Sequence, residues 1–234
     1  VCAACPRAPR HQAGAGRLDP HALSPIPDEL DASQPSCMSQ HLDLGCGPVP
    51  RNPYRHDRVF GVDLASPVSQ AAVEIRSANL AIDPIPYEDS RFDSVSAFDF
   101  LEHIPRVLPL ASGTGTRFPF VELMNEVSRV LRPGGLFYAL TPCHPSEAAF
   151  SDPTHVNVMT AKTHRYFTGD QPLGRMYGFT GTFALRRAEW GVHKDSLDPT
   201  SSLTFSQRFR RLSHRFHGKF SHVIWEFECA KPGS

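Results

Sequence analysis

The sequence has no excess of either charge. Its 24 Lys and Arg balance 24 Asp and Glu, which excludes a global attraction to nucleic acid or anionic lipid. It has no long apolar run. Nothing approaches the ~18 residues that span a bilayer, and the opening "VCAACPRAPRHQAGAG" lacks the apolar stretch of a secretory leader. A cytoplasmic location is expected. The chain begins at Val1 without a Met, so its natural start is expected elsewhere. Cysteine is sparse, six in 234 residues, and a chain of this size without an export signal is not a disulfide scaffold. Cys2 and Cys5 have zinc-like spacing, but no second pair follows at finger distance, and no metal site is expected. No internal repeat is visible.

What is present falls into two parts. Residues 1–38 carry Pro6, Pro9, Pro20, Pro25, Pro27 and Pro35 among Ala, Gly, Ser and Gln. Such a stretch buries too little apolar surface to offset its ordering entropy, so a flexible tail is expected, with one short turn at "PDELDAS". Residues 39–234 read as a single domain. Strands are expected at 40–45, 58–65, 72–80, 92–100 and 136–142, and two later ones at 179–190 and 221–231. Val121, Met124, Val127, Val130 and Leu131 recur at helix spacing, which predicts a helix over 118–135 stopped by Pro133-Gly134-Gly135. Strands joined by helices form a parallel sheet covered on both faces, an α/β fold. Only residues 48–57, with three prolines, are left to connect the first two strands, so a stunted element is expected there.

"HLDLGCGPVPRNPY" (41–54) ends the first strand at a loop. Gly45 and Gly47 allow close backbone approach and positive φ. A dinucleotide loop wants a third small residue where a pyrophosphate meets a helix N-terminus, and Pro50 stands there instead. Proline also removes amide donors that a phosphate needs. Asp63 ends the second strand, placed to accept both ribose hydroxyls. Together these suit an adenosyl cofactor carrying an amino acid rather than a diphosphate.

"DLGCG", "VFGVDLA", "ANLAIDPIPYEDSRFDSVSAFDFLEHI" and "ELMNEVSRVLRPGGLFYALTP" resemble, in order and spacing, the class I S-adenosylmethionine-dependent methyltransferases over residues 40–145. The resemblance implies a Rossmann-like sheet of seven strands, mostly parallel, with an antiparallel last strand. It implies S-adenosylmethionine as cofactor. Asp43, Gly45, Cys46 and Gly47 fall on the loop that holds the methionine part, and Asp63 on the ribose carboxylate. Leu64 falls where adenine packs, Asn79 and Leu80 on the adenine edge, and Phe98 with Asp99 on the strand end facing cofactor and acceptor. The chain departs from the pattern at 48–50, where proline-rich sequence replaces glycine.

His103, just after the fourth strand, and His155, in a lid-like segment (150–178), are the candidate proton acceptors; each could equally be a packed, hydrogen-bonded histidine. Within a second inserted segment (196–220), "FSQRFRRLSHRFHGKF" (205–220) is basic and amphipathic, and no acid occurs from Pro199 through Trp225. Its Phe stripe suits packing on the sheet, or contact with an anionic substrate, RNA or membrane surface. The leading expectation is methyl transfer to a small-molecule, lipid or glycan acceptor. The alternatives are a non-catalytic adenosyl-ligand or partner-binding module, and an RNA methyltransferase. The neutral charge argues against nucleic acid. So does "FDFL" where amino-directed DNA enzymes carry an Asn/Asp-Pro-Pro-Tyr/Phe tetrapeptide. Nothing in the sequence sets an oligomeric state.

Overall fold

The computed structural model describes residues 38–65, 73–217 and 220–231. Apart from Met38, the expected tail lies outside them, as do Cys2, Cys5 and the "PDELDAS" turn. The strands are β1 (Gln40–Leu44), β2 (Arg58–Asp63), β3 (Val73–Ser77), β4 (Phe92–Phe98), the short hairpin pair β5 (Leu108–Pro109) and β6 (Thr116–Arg117), β7 (Leu131–Pro142), β8 (Phe183–Gly191) and β9 (His222–Cys229). The described α-helices are α1 (Pro119–Val130) and α2 (Phe205–His217).

Seven strands form one sheet in the order β3-β2-β1-β4-β7-β9-β8. The first five run parallel, and β9 pairs antiparallel with both β7 and β8. The expected sheet, with its antiparallel last strand and a late antiparallel pair at one edge, is what forms. The chain doubles back between β1 and β4, and at such a switch point the loops beyond the carboxyl ends splay apart into a crevice.

The sheet's two faces differ in kind. On one, Leu42, Leu44, Val95, Ala97, Phe137, Ala139, Val223, Trp225 and Phe227 belong to the main core with Phe120, Met124 and Val127 of α1. Period-two alternation sends these side chains to a single face. Each large side chain buried this way contributes roughly 1.5–3 kcal/mol. On the other face, the same alternation buries His41, Asp43, Ser94 and Ser96. His41 bridges the two serines, Nδ1 to Ser94 Oγ at 2.6 Å and Nε2 to Ser96 Oγ at 2.9 Å. Ser96 in turn donates to Asp43 Oδ1 at 2.6 Å. Residues 48–57 contain only turns and bends, as their prolines dictate. This face accordingly holds a hydrogen-bonded polar layer on β1 and β4, beside a small apolar cluster of Phe98, Tyr138, Leu140 and Ile224.

The helix predicted over 118–135 ends five residues early. α1 stops at Val130, and Pro133-Gly134-Gly135 lies inside β7 as a bulge opposite β4. Phe92 pairs with Leu131, and Ser94 pairs with Leu136. Gly134 takes φ +77, and a Cβ on Gly135 would press on the Asp93 carbonyl at 3.2 Å. The Pro-Gly-Gly run thus bends a strand, a role glycine serves as readily as ending a helix.

Candidate active site

A cleft of about 490 Å³ opens where β1, β2 and β4 end. Its wall includes Gly45, Asp63, Leu64, Asn79, Asp99 and His103. Gly45 has φ +63, and a Cβ there would sit 2.3 Å from Phe100 Cδ2. Only glycine both adopts that backbone and leaves room for the ring. The loop is tied to the next strand by its amides: Gly45 N–H donates to the Val62 carbonyl at 2.8 Å, and Gly47 N–H to Asp63 Oδ2 at 2.8 Å. Asp63 Oδ1 accepts from Ala65 N–H at 3.2 Å. A carboxylate offers about four lone-pair sites, so Asp63 keeps acceptor capacity toward the cleft.

Asp43 does not line the cleft. It is buried beneath the loop, where Oδ2 accepts from Arg51 N–H at 2.8 Å. Burial pushes its pKa up to about 6 against the pull of Ser96 and Arg51. Burial pushes His41 the other way, down to about 3, so this ring is neutral. Cys46 is also buried, its Sγ turned to the Gly47 carbonyl and its pKa raised to about 12 by burial. Leu64 is 70% exposed on the cleft rim. Asn79 lines the cleft and closes its own turn, its Oδ1 accepting from Ala81 N–H at 3.2 Å. Leu80 is buried at the same wall.

Phe98 lies elsewhere. It is 2% exposed and packs with Tyr138, Leu140 and Ile224 on the polar-layer side of the sheet. Asp99 follows with φ +49, which breaks the strand alternation and turns Phe100, not Phe98, toward Gly45.

His103 reaches the cleft and His155 does not. Thr154 Oγ–H donates to Asp152 Oδ1 at 2.7 Å. That hydroxyl has no second proton, so at 3.0 Å it accepts from His103 Nδ1–H. The lone pair of His103 then sits on Nε2. The Thr154 hydrogen bond also holds the Asp152 carboxyl below its usual range. His155 stands edge-on to His103, ring centroids 4.8 Å apart, and its Nε2 lies 3.9 Å from both Glu102 and Asp152. Burial raises the pKa of Glu102; its Oε2 accepts from Thr141 at 2.5 Å, while Oε1, the atom nearest His155, has no hydrogen-bond partner among the described residues. The segment that carries His155 is fastened down: Val156 and Asn157 N–H both donate to the Glu102 carbonyl at 2.9 Å.

Two further imidazoles were not singled out from the sequence. His193 Nε2 lies 2.8 Å from Asp99 Oδ2, and His222 Nε2 lies 3.1 Å from Asp99 Oδ1. Burial alone would raise the Asp99 carboxyl, but the hydrogen bonds from His222 and His193 outweigh it and hold the pKa low. A second cavity, of about 410 Å³, has aromatic walls from Phe118, Phe120, Tyr166 and Tyr177, with Arg106 at its edge. The chain segments that wall the cleft through Ile104 and Thr154 continue to this cavity through Arg106 and Asn157.

Residues 42–139 match the family model described as "Methyltransferase domain". Among solved structures, the chain is similar to the Haloferax volcanii complex of the Trm112 methyltransferase activator with a chain described as a methyltransferase. That match has 14% identity and a TM-score of 0.50 and covers 83% of this chain and 84% of that one. It is also similar to the YcgJ protein of Bacillus subtilis, at 13% identity, coverage of 84% and 93%, and a TM-score of 0.48. A third is geranyl diphosphate C-methyltransferase of Streptomyces coelicolor, at 17% identity, coverage of 82% and 71%, and a TM-score of 0.46. Identities this low speak to the fold. The sheet order and the match over residues 42–139 make this chain similar to methyltransferase-domain proteins over that segment.

Proposed function

We propose that the cleft holds S-adenosylmethionine and that the methyl group passes to a small-molecule, lipid or glycan acceptor, with His103 removing the acceptor's proton. The observation that carries this reading is that Asp63 and His103 share one cleft. The residues fit the group. The cavity lies within the ~300–1,000 Å³ range of small-molecule sites, Asp63 retains acceptor sites for a ribose diol, and the proline-rich loop offers few amides to a phosphate. When bound, the cofactor supplies a methyl on a sulfonium, a good leaving group. The chain's task is then position and water exclusion. His103 Nε2 is the lone-pair nitrogen on the wall, held in that tautomer by Thr154 and Asp152. His155 stands behind it against Glu102, as a ring that orients rather than one that meets the acceptor. The aromatic cavity beyond Ile104 is the proposed seat of the acceptor's apolar part.

Transfer of a labelled methyl group into a fractionated extract tests this. Label should enter small-molecule, lipid or glycan fractions and not RNA. His103→Gln should lose transfer while binding the demethylated cofactor normally. Label in RNA, or donor binding without transfer to any fraction, would favour the alternatives.

The outer helix supports a lipid-borne acceptor among the three classes. Phe205, Phe209 and Leu212 fall on one stripe of α2 and are 86%, 67% and 51% exposed. These members of the stripe therefore do not pack on the sheet. Arg210 and Arg211 are tied to Asp195 and Glu189, while Arg208 stays exposed. An apolar stripe with basic flanks suits the boundary of an anionic membrane. No helix among the described residues is long and apolar enough to cross one. The protein should co-sediment with vesicles containing phosphatidylglycerol and much less with phosphatidylcholine alone. Phe209→Glu should abolish the difference, and equal sedimentation with both would remove this surface from the reading.

A further inference from the structure

The geometry points to a divalent-metal site formed by Asp99, His193 and His222 at the rim of the cleft. Three distant parts of the chain supply it: the residue after β4, a short 3-10 turn (His193–Asp195) and the first residue of β9. Both rings present Nε2 to the same carboxylate, at 2.8 and 3.1 Å, and all three ligand atoms lie within 4.8 Å of one another. Donors bound at about 2.0–2.2 Å to a common ion sit roughly 3.0–3.4 Å apart, so small rotations of the rings would admit one.

Three further features favour a cation over a simple hydrogen-bonded triplet. The far nitrogen of His222, Nδ1, is 2.7 Å from Ser221 Oγ, the outer-shell partner that ligating histidines nearly always have. Asp99 holds φ +49, a left-handed position that Asp and Asn adopt more readily than other residues with a side chain, and its carboxylate meets both rings from there. The site is also open on one side: the Asp99 and His193 side chains are 38% and 36% exposed, while His222 is 11% exposed and anchors the base. Coordination positions would remain for water or an acceptor oxygen. Two imidazoles and one carboxylate suit zinc, iron(II), cobalt(II) or manganese(II), and suit magnesium or calcium poorly. Asp99 also lines the cleft proposed for the donor, whereas His193 and His222 do not, so metal binding is read on protein without the donor.

Metal-stripped protein titrated with zinc by calorimetry tests it, with cobalt(II) absorption as a second readout. One saturable zinc site is expected, with a cobalt spectrum free of thiolate charge-transfer bands. Asp99→Asn should weaken zinc at least as much as loss of an outer-shell partner does, about 10–100-fold. Asparagine tolerates the left-handed backbone, so the fold should survive that change, and circular dichroism checks it. His193→Ala should do the same. No saturable binding, a thiolate spectrum, or zinc affinity that follows His103→Ala rather than Asp99→Asn would overturn the assignment.

Discussion

Replacing Asp63 with alanine should weaken the demethylated cofactor about 10²–10³-fold in a calorimetric titration. A hydrogen bond to a charged group contributes about 1.5–3 kcal/mol, and two hydroxyls on one carboxylate therefore bring roughly 3–5 kcal/mol, with each 1.4 kcal/mol a factor of ten. The loss should reach beyond the ligand. Asp63 Oδ2 also accepts the Gly47 amide, and Oδ1 accepts that of Ala65. The alanine variant frees the loop on both sides, so the empty protein should also lose amide-exchange protection at Gly47. Asp63→Asn keeps one acceptor oxygen and should fall between the two, about tenfold weaker. Unchanged affinity in the alanine variant, or binding of NAD in place of the adenosyl compound, would remove the basis for the donor site.

The second large effect concerns stability. Trp225→Ala should lower stability by about 3–5 kcal/mol, the range for truncating a buried aromatic. For a chain of this size each kcal/mol moves Tm by roughly 2–4 °C, so a thermal melt should drop by about 10 °C. Trp225 is fully buried in the centre of β9 and contacts Phe120, Phe167 and Phe227. It therefore joins the sheet, α1 and the segment after β7. Its Nε1 has no acceptor among the described residues. Trp225→Phe removes that unsatisfied donor along with part of the ring, and should cost under about 1.5 kcal/mol. If the two variants melt together, the packing account fails.

The first five main strands were legible because period-two runs and the turns after them are local signals. Boundaries were less so. Pro133-Gly134-Gly135 reads alike as a helix stop and as a bulge, and only the pairing of Phe92 with Leu131 decides between them. At the site, Gly45, Asp63, Leu64, Asn79 and Leu80 carry an ordered pattern and fall together on the cleft wall. Phe98 does not, because period-two alternation along β4 puts it on the face of Ser94 and Ser96, while beyond the left-handed Asp99 it is Phe100 that meets Gly45. His193 and His222 stand 94 and 123 residues from Asp99. No spacing rule spans that distance, and neither lies in a motif. The α2 stripe was readable as amphipathic, but whether its apolar side met the sheet or solvent depended on what else covered the sheet.

The strand order has an outcome for the nascent chain. β9 lies between β7 and β8, although it leaves the ribosome after both. Until then β8 has no sheet neighbour, and β7 shows a bare row of amides beside Phe137 and Ala139. A polypeptide paused before residue 222 would offer that row to any passing strand, its own sister copies included. Translation speed and chaperone supply over this last stretch should therefore govern yield more than the melting point of the finished protein does.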